Sequence, residues 1–142
     1  LHTGQKVNIL VNDQEMQDYA ASRLKNSKIS LNKIFFYQIP TVDGWMRDCG
    51  PTFIINDKTK QKGMVKWIFN AWGNKYDDLK EDEGIQYKIN KFLKLQMFES
   101  NIVLEGGSIE VNGSGTVLTT EQCLLNKNRN PESYALKSFF KN

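Results

Sequence analysis

The sequence predicts an α/β fold assembled from a repeated unit. Three observations carry that expectation. Short β-branched and aromatic runs alternate with segments of helical periodicity, as in chains whose strands are joined by crossover helices. One order of features occurs twice: helix, strand, an acid next to glycine or one residue before it, then an apolar strand closing on asparagine. The acids in the two copies, Asp48 and Glu105, stand 57 positions apart. Units related by rotation about a common axis turn such acids toward one central space.

The elements follow in order. Residues 6–11 are apolar and short enough for a strand. Asn12 and Asp13 offer caps for a helix carrying Met16, Tyr19, Ala20 and Leu24 on one face. Residues 34–39 are β-branched and aromatic and read as a buried strand ended by Pro40. The run 43–51, with two glycines and a proline, reads as a loop. Strands are expected over 52–56 and 64–69, with a turn over 57–63. A second helix is expected over about 82–97, because Ile85, Ile89, Phe92 and Leu93 fall on one face. A short strand over 101–104 stops at Gly106-Gly107. Residues 108–111 and 116–119 then form a hairpin about Asn112-Gly113, and Asn130-Pro131 opens a last helix.

Composition narrows the function. The 142 residues are 39% apolar and 25% charged, enough for one domain with a core. The net charge is +3, with both signs mixed along the chain, too weak a footprint for nucleic acid. No apolar run is long enough to span a bilayer. The first residues carry neither a basic flank nor a long apolar stretch, so a cytoplasmic location with reduced cysteines is expected. The lack of an initiator methionine reads as a missing native start. Cys49 and Cys123 form no CxxC, and His2 stands alone near the start, so no zinc or other metal site is expected. The acids Asp77, Asp78, Glu81, Asp82 and Glu83 read as a helix start, where carboxylates favour the dipole, rather than as metal ligands.

Two stretches have the chemistry of a cation site. In Trp45-Met46-Arg47-Asp48 an indole can lie on a flat cation while the carboxylate hydrogen-bonds it, and a guanidinium suits both. An internal reading stands beside this one: Asp48 pairs with Arg47 or caps a turn, and Trp45 belongs to a core. In Leu104-Glu105-Gly106-Gly107-Ser108 the glycines allow close approach to a ligand, or simply a tight bend with a solvated Glu. Asn70-Ala71-Trp72-Gly73 and residues 126–131 are turn-forming and suit either a site wall or ordinary loops.

Four blocks resemble the agmatine deiminases of the Porphyromonas-type peptidylarginine deiminase family, in that family's order. They are Trp45 to Phe53, Phe69 to Tyr76, Val103 to Val111, and Leu118 to Asn126 followed by Asn128-Arg129-Asn130-Pro131. The resemblance implies a pentein-type α/β propeller of pseudosymmetric ββαβ units, of which residues 1–142 make an incomplete portion, about two of five units. It implies hydrolysis of the agmatine guanidinium to N-carbamoylputrescine and ammonia through a covalent thiouronium on a cysteine, without cofactor. By the same resemblance Asp48 grips the guanidinium, Trp45 is a neighbouring pocket indole, and Glu105 assists the catalytic histidine and the substrate's charge. The family's catalytic histidine and nucleophilic cysteine have no counterpart among these residues, and Cys49 and Cys123 sit in other blocks. The chain alone is therefore expected to be inactive and to associate through the apolar faces of an incomplete propeller, as a homo-oligomer or with a complementary fragment. Peptidylarginine deimination and a non-catalytic module binding guanidines or partner proteins are the alternatives.

Overall fold

The computed structural model describes residues 3–132, and the chain divides into two units, Leu1–Thr41 and Val42–Asn142. In the first unit, strand β1 (Val7–Val11) runs parallel to β2 (Ile34–Gln38), with Val7 opposite Ile34 and Val11 opposite Gln38. Parallel neighbours need a crossover, supplied here by helix α1 (Gln14–Asn26). Asp13 caps it as expected, its Oδ1 accepting from Met16 N at 2.8 Å. Arg23 and Lys25 in its last turn complement the dipole. The buried stripe differs from the expected one. Met16 and Tyr19 are exposed, while Gln17, Ala20, Ala21 and Leu24 are half-buried at helical spacing. The small alanines allow closer packing than the bulky Met and Tyr.

The second unit is built on a three-stranded sheet in the order β3-β4-β5. Strands β3 (Thr52–Ile55) and β4 (Lys62–Ile68) form an antiparallel hairpin, and β4 is parallel to β5 (Gln96–Val103). Met64, Phe69, Ile85, Val103, Leu104 and Leu124 are buried in this unit. The crossover from β4 to β5 is shorter than the periodicity predicts. A 3-10 turn (Asp78–Gly84) leads into a nine-residue helix that ends at Leu93. The helix stops because Lys94 takes a left-handed conformation (φ 52°). The Asn90 side chain secures the exit, accepting from Leu95 N at 2.9 Å and donating to Leu95 O at 3.0 Å. The expected strand 101–104 is thus the far end of the eight-residue β5.

The 43–51 segment is not all loop: helix α2 (Met46–Cys49) occupies its centre. The left-handed turn α3 (Ala71–Asn74) follows β4, and the nine-residue crossover helix, Ile85–Leu93, is α4. After β5, a 3-10 turn (Gly106–Ser108) opens the expected hairpin of β6 (Ile109–Val111) and β7 (Val117–Thr119). Asn112 closes it, its Oδ1 accepting from Ser114 N and Thr116 N. Helix α5 (Glu121–Leu124) is capped by Thr120. The helix expected beyond Pro131 lies outside the described residues. The repeat seen in sequence has a structural counterpart: each acid sits at a short helical turn that enters an antiparallel hairpin.

Candidate functional site

Asp48 is carried by α2, a single turn whose residues Asp48 and Cys49 both donate their backbone N–H to Trp45 O. Neighbouring elements fix this turn. The buried Asp82 carboxylate accepts from Val42 N at 2.8 Å and Asp43 N at 3.0 Å, holding the approach to Trp45. Gln86 Nε2 donates to Cys49 O at 3.0 Å, holding its far end. Three acids of the cluster have partners: Asp82 anchors this loop, Glu83 pairs with Lys66, and Asp77 pairs with Lys80 at 2.6 Å. Among the described residues no group of three or more His, Cys, Asp or Glu is arranged to hold a metal ion.

Glu105 ends β5 and is buried. Glycine brings its turn against α2. A Cβ on Gly106 would lie 2.5 Å from Arg47 O, and one on Gly107 would lie 3.3 Å from Asp48 Oδ1. The two glycines therefore serve close approach between the two acid-bearing turns. The Asp48 carboxyl pKa is raised above its ordinary 3.8, first by burial and then by the Glu105 charge. The Trp72 side chain, Arg47 and Arg129 act in the opposite direction.

Asp48 borders a cleft of about 570 Å³ lined also by Asp43, Trp45, Trp72, Lys75, Tyr76 and Leu79. Trp45 is 59% exposed there, so it is not core. Trp72 belongs to α3, where Ala71, Trp72, Gly73 and Asn74 all have positive φ, from 51° to 88°. Consecutive left-handed residues are strained for all but glycine, and their partners hold them. Asn70 Oδ1 accepts from Gly73 N at 2.9 Å, and Asn70 Nδ2 donates to Asn128 O at 3.0 Å. Phe69 and Tyr76 each meet the Trp72 ring edge-on, at 5.5 and 6.0 Å.

Sequence reasoning placed Asp48, Trp45 and Glu105, and the first two share the cleft. It named the segments holding Trp72 and Arg129 as either site wall or ordinary loop, and Trp72 lines the cleft. Arg129 Nε donates to both Glu105 oxygens, Oε1 at 2.8 Å and Oε2 at 3.1 Å. The Glu of the double-glycine turn is therefore neither solvated nor open on all sides. Cys49 is 1% exposed, and burial, reinforced by the Asp82 charge, pushes its thiol up to about 11. Neither cysteine lines the cleft.

Two carboxylates, two indoles, a phenol and one lysine thus line a single cleft of an α/β chain. The chain belongs to the Porphyromonas-type peptidyl-arginine deiminase family, whose model matches residues 1–136. It is 44% identical over 119 residues to an agmatine deiminase of Pseudomonas putida, an alignment covering 79% of this chain and 32% of the relative. Among solved structures it resembles the Enterococcus faecalis agmatine deiminase (37% identity, TM-score 0.73, covering 92% of this chain and 36% of that one). It also resembles a C. jejuni agmatine deiminase with substrate bound (33% identity, TM-score 0.75, covering 98% and 40%). The chain spans about a third of the length of the curated relatives it matches. Among the described residues no helix is long and apolar enough to cross a membrane.

Proposed function

We propose that this chain supplies the guanidinium-binding part of an agmatine deiminase, a hydrolase acting on the C–N bonds of an amidine. The observation that carries the reading is the partly buried Asp48 carboxylate lining one cleft with Trp45 and Trp72. Asp48 receives the guanidinium N–H groups in charge-assisted hydrogen bonds, and an indole covers its flat face. A cation held in this way presents its central carbon in a fixed orientation, which is the positional contribution to attack by a thiolate. The displaced nitrogen leaves as ammonia, and water then releases N-carbamoylputrescine from the covalent thiouronium.

The same reading makes the 142-residue chain a binder without turnover. Cys49 is sealed from the cleft and remains a thiol at neutral pH, and Cys123 is not among the cleft residues. We read the repeated acid turn and hairpin as units of a pentein-type propeller, about two of five, acting in the cytoplasm in polyamine synthesis. Exposed Phe53, Ile55 and Phe98 favour association of the isolated chain.

The test is product formation by the whole deiminase of which this chain is proposed to be part, purified from its source cells and offered agmatine and an arginyl peptide together. Ammonia and N-carbamoylputrescine from agmatine, lost in Asp48→Asn, are expected. Preference for the arginyl peptide would make peptidylarginine the substrate, and saturable agmatine binding without product would favour the non-catalytic module.

A further inference from the structure

We propose that Arg129 is the positioning residue of the acid site: its side chain takes up the Glu105 carboxylate and so leaves Asp48 as the carboxylate that receives an incoming guanidinium. The inference rests on the guanidine-binding reading above. It departs from the expectation that Glu105 assists the substrate's charge directly.

The geometry is built from a distance. Arg129 lies in a turn closed by hydrogen bonds to Asn126 O from Arg129 N at 3.0 Å and Asn130 N at 2.7 Å. The buried Asn130 side chain bolts that turn to the end of β5. Its Oδ1 accepts from Val103 N, and its Nδ2 donates to Val103 O and Leu124 O, each at 2.9 Å. Glu105 is two residues beyond Val103. The turn thus delivers Arg129 to the carboxylate, where one N–H spans both oxygens. The side chains are 15% and 4% exposed, so little water screens the pair. The same turn also supports the Trp72 wall, because Asn128 O accepts from Asn70 and a Cβ on Gly73 would lie 3.0 Å from Asn128 Cβ.

The chemical consequence concerns Asp48. Around it stand Glu105, Arg47 and Arg129, with the Trp72 side chain against it and Asp43 and Lys75 lining the same cleft. Two neighbouring carboxylates without a counter-charge resist ionising together. A guanidinium binds the ionised form, so an offset Glu105 keeps Asp48 ready for it. The Arg129 guanidinium acts here as a fixed structural charge, its Nε–H held by both Glu105 oxygens.

The test follows the Trp72 indole N–H resonance of the 142-residue chain, which reports Asp48 ionisation without ligand, from about pH 3 to pH 8. In Arg129→Gln the midpoint is expected to rise by roughly one unit, and agmatine binding to weaken by roughly tenfold at pH values below the wild-type midpoint and by progressively less above it. Arg129→Lys, which keeps the charge, is expected to titrate within a few tenths of wild type. An Arg129→Gln midpoint equal to wild type overturns the proposal, as does an equal rise in both variants. Should Arg129→Gln not fold, Arg129→Lys decides: a retained midpoint supports the proposal and a rise of about one unit overturns it. If the wild-type chain takes up no agmatine, the guanidine reading fails while the titration still judges the role of Arg129.

Discussion

Gln86 donates from its amide nitrogen to the carbonyl of Cys49, 3.0 Å away, tying α4 to the turn that carries Asp48. The same nitrogen donates to Trp67 O at 3.1 Å, and its Oε1 accepts from Trp67 N at 3.2 Å. The β4-β5 register shifts between Lys66 and Ile68, so Trp67 depends on this amide. Replacement by Leu, at a position 1% exposed, strands buried polar groups. Gln86→Leu is expected to destabilise the chain by about 2–4 kcal/mol in denaturant unfolding and to weaken agmatine binding. A loss below about 1 kcal/mol would show that the amide is not what holds the turn.

Asp48 is a group whose function opposes stability. Its folded pKa lies above the ordinary 3.8, so between those values the folded chain binds more protons than the unfolded chain. Stability therefore falls as pH rises through that window. Asp48→Asn removes the penalty: it is expected to melt higher than wild type at neutral pH, with the difference closing below about pH 3.8. Melting curves of both proteins across pH decide this. A variant less stable at neutral pH would mean that the Trp72 and arginine contacts outweigh burial.

Cys49 predicts a chemical silence. With its thiol raised from 9.0 to about 11, the thiolate fraction at neutral pH is about a hundredfold below that of an ordinary cysteine. Iodoacetamide is expected to modify half-buried Cys123 in the native chain, and Cys49 only after denaturation. Rapid labelling of native Cys49, read by peptide mass, would contradict both its burial and its exclusion from nucleophilic chemistry.

What the sequence made legible was local. The Asp13 cap, the β2 strand and the Asn112-Gly113 hairpin each follow from neighbours a few residues apart. The missed features depend on distant partners. Nothing near position 46 announces α2, because the loop is held by Asp82 and Gln86 from the crossover segment. The left-handed path of Trp72 is stabilised by Asn128, and the partner of Glu105 is 24 positions away at Arg129. The early end of α4 turned on Asn90, an internal residue whose side chain is spent on the exit rather than on the helix face. Trp72 had a signal in hindsight, since asparagine on both sides and a following glycine accompany positive φ.

The central claim is that Asp48 binds a guanidinium in the cleft, and calorimetric titration of the 142-residue chain with agmatine tests it most directly. Saturable one-to-one binding at neutral pH, lost in Asp48→Asn while the fold is retained, is the predicted result. Absence of binding, or equal binding by wild type and Asp48→Asn, would contradict it.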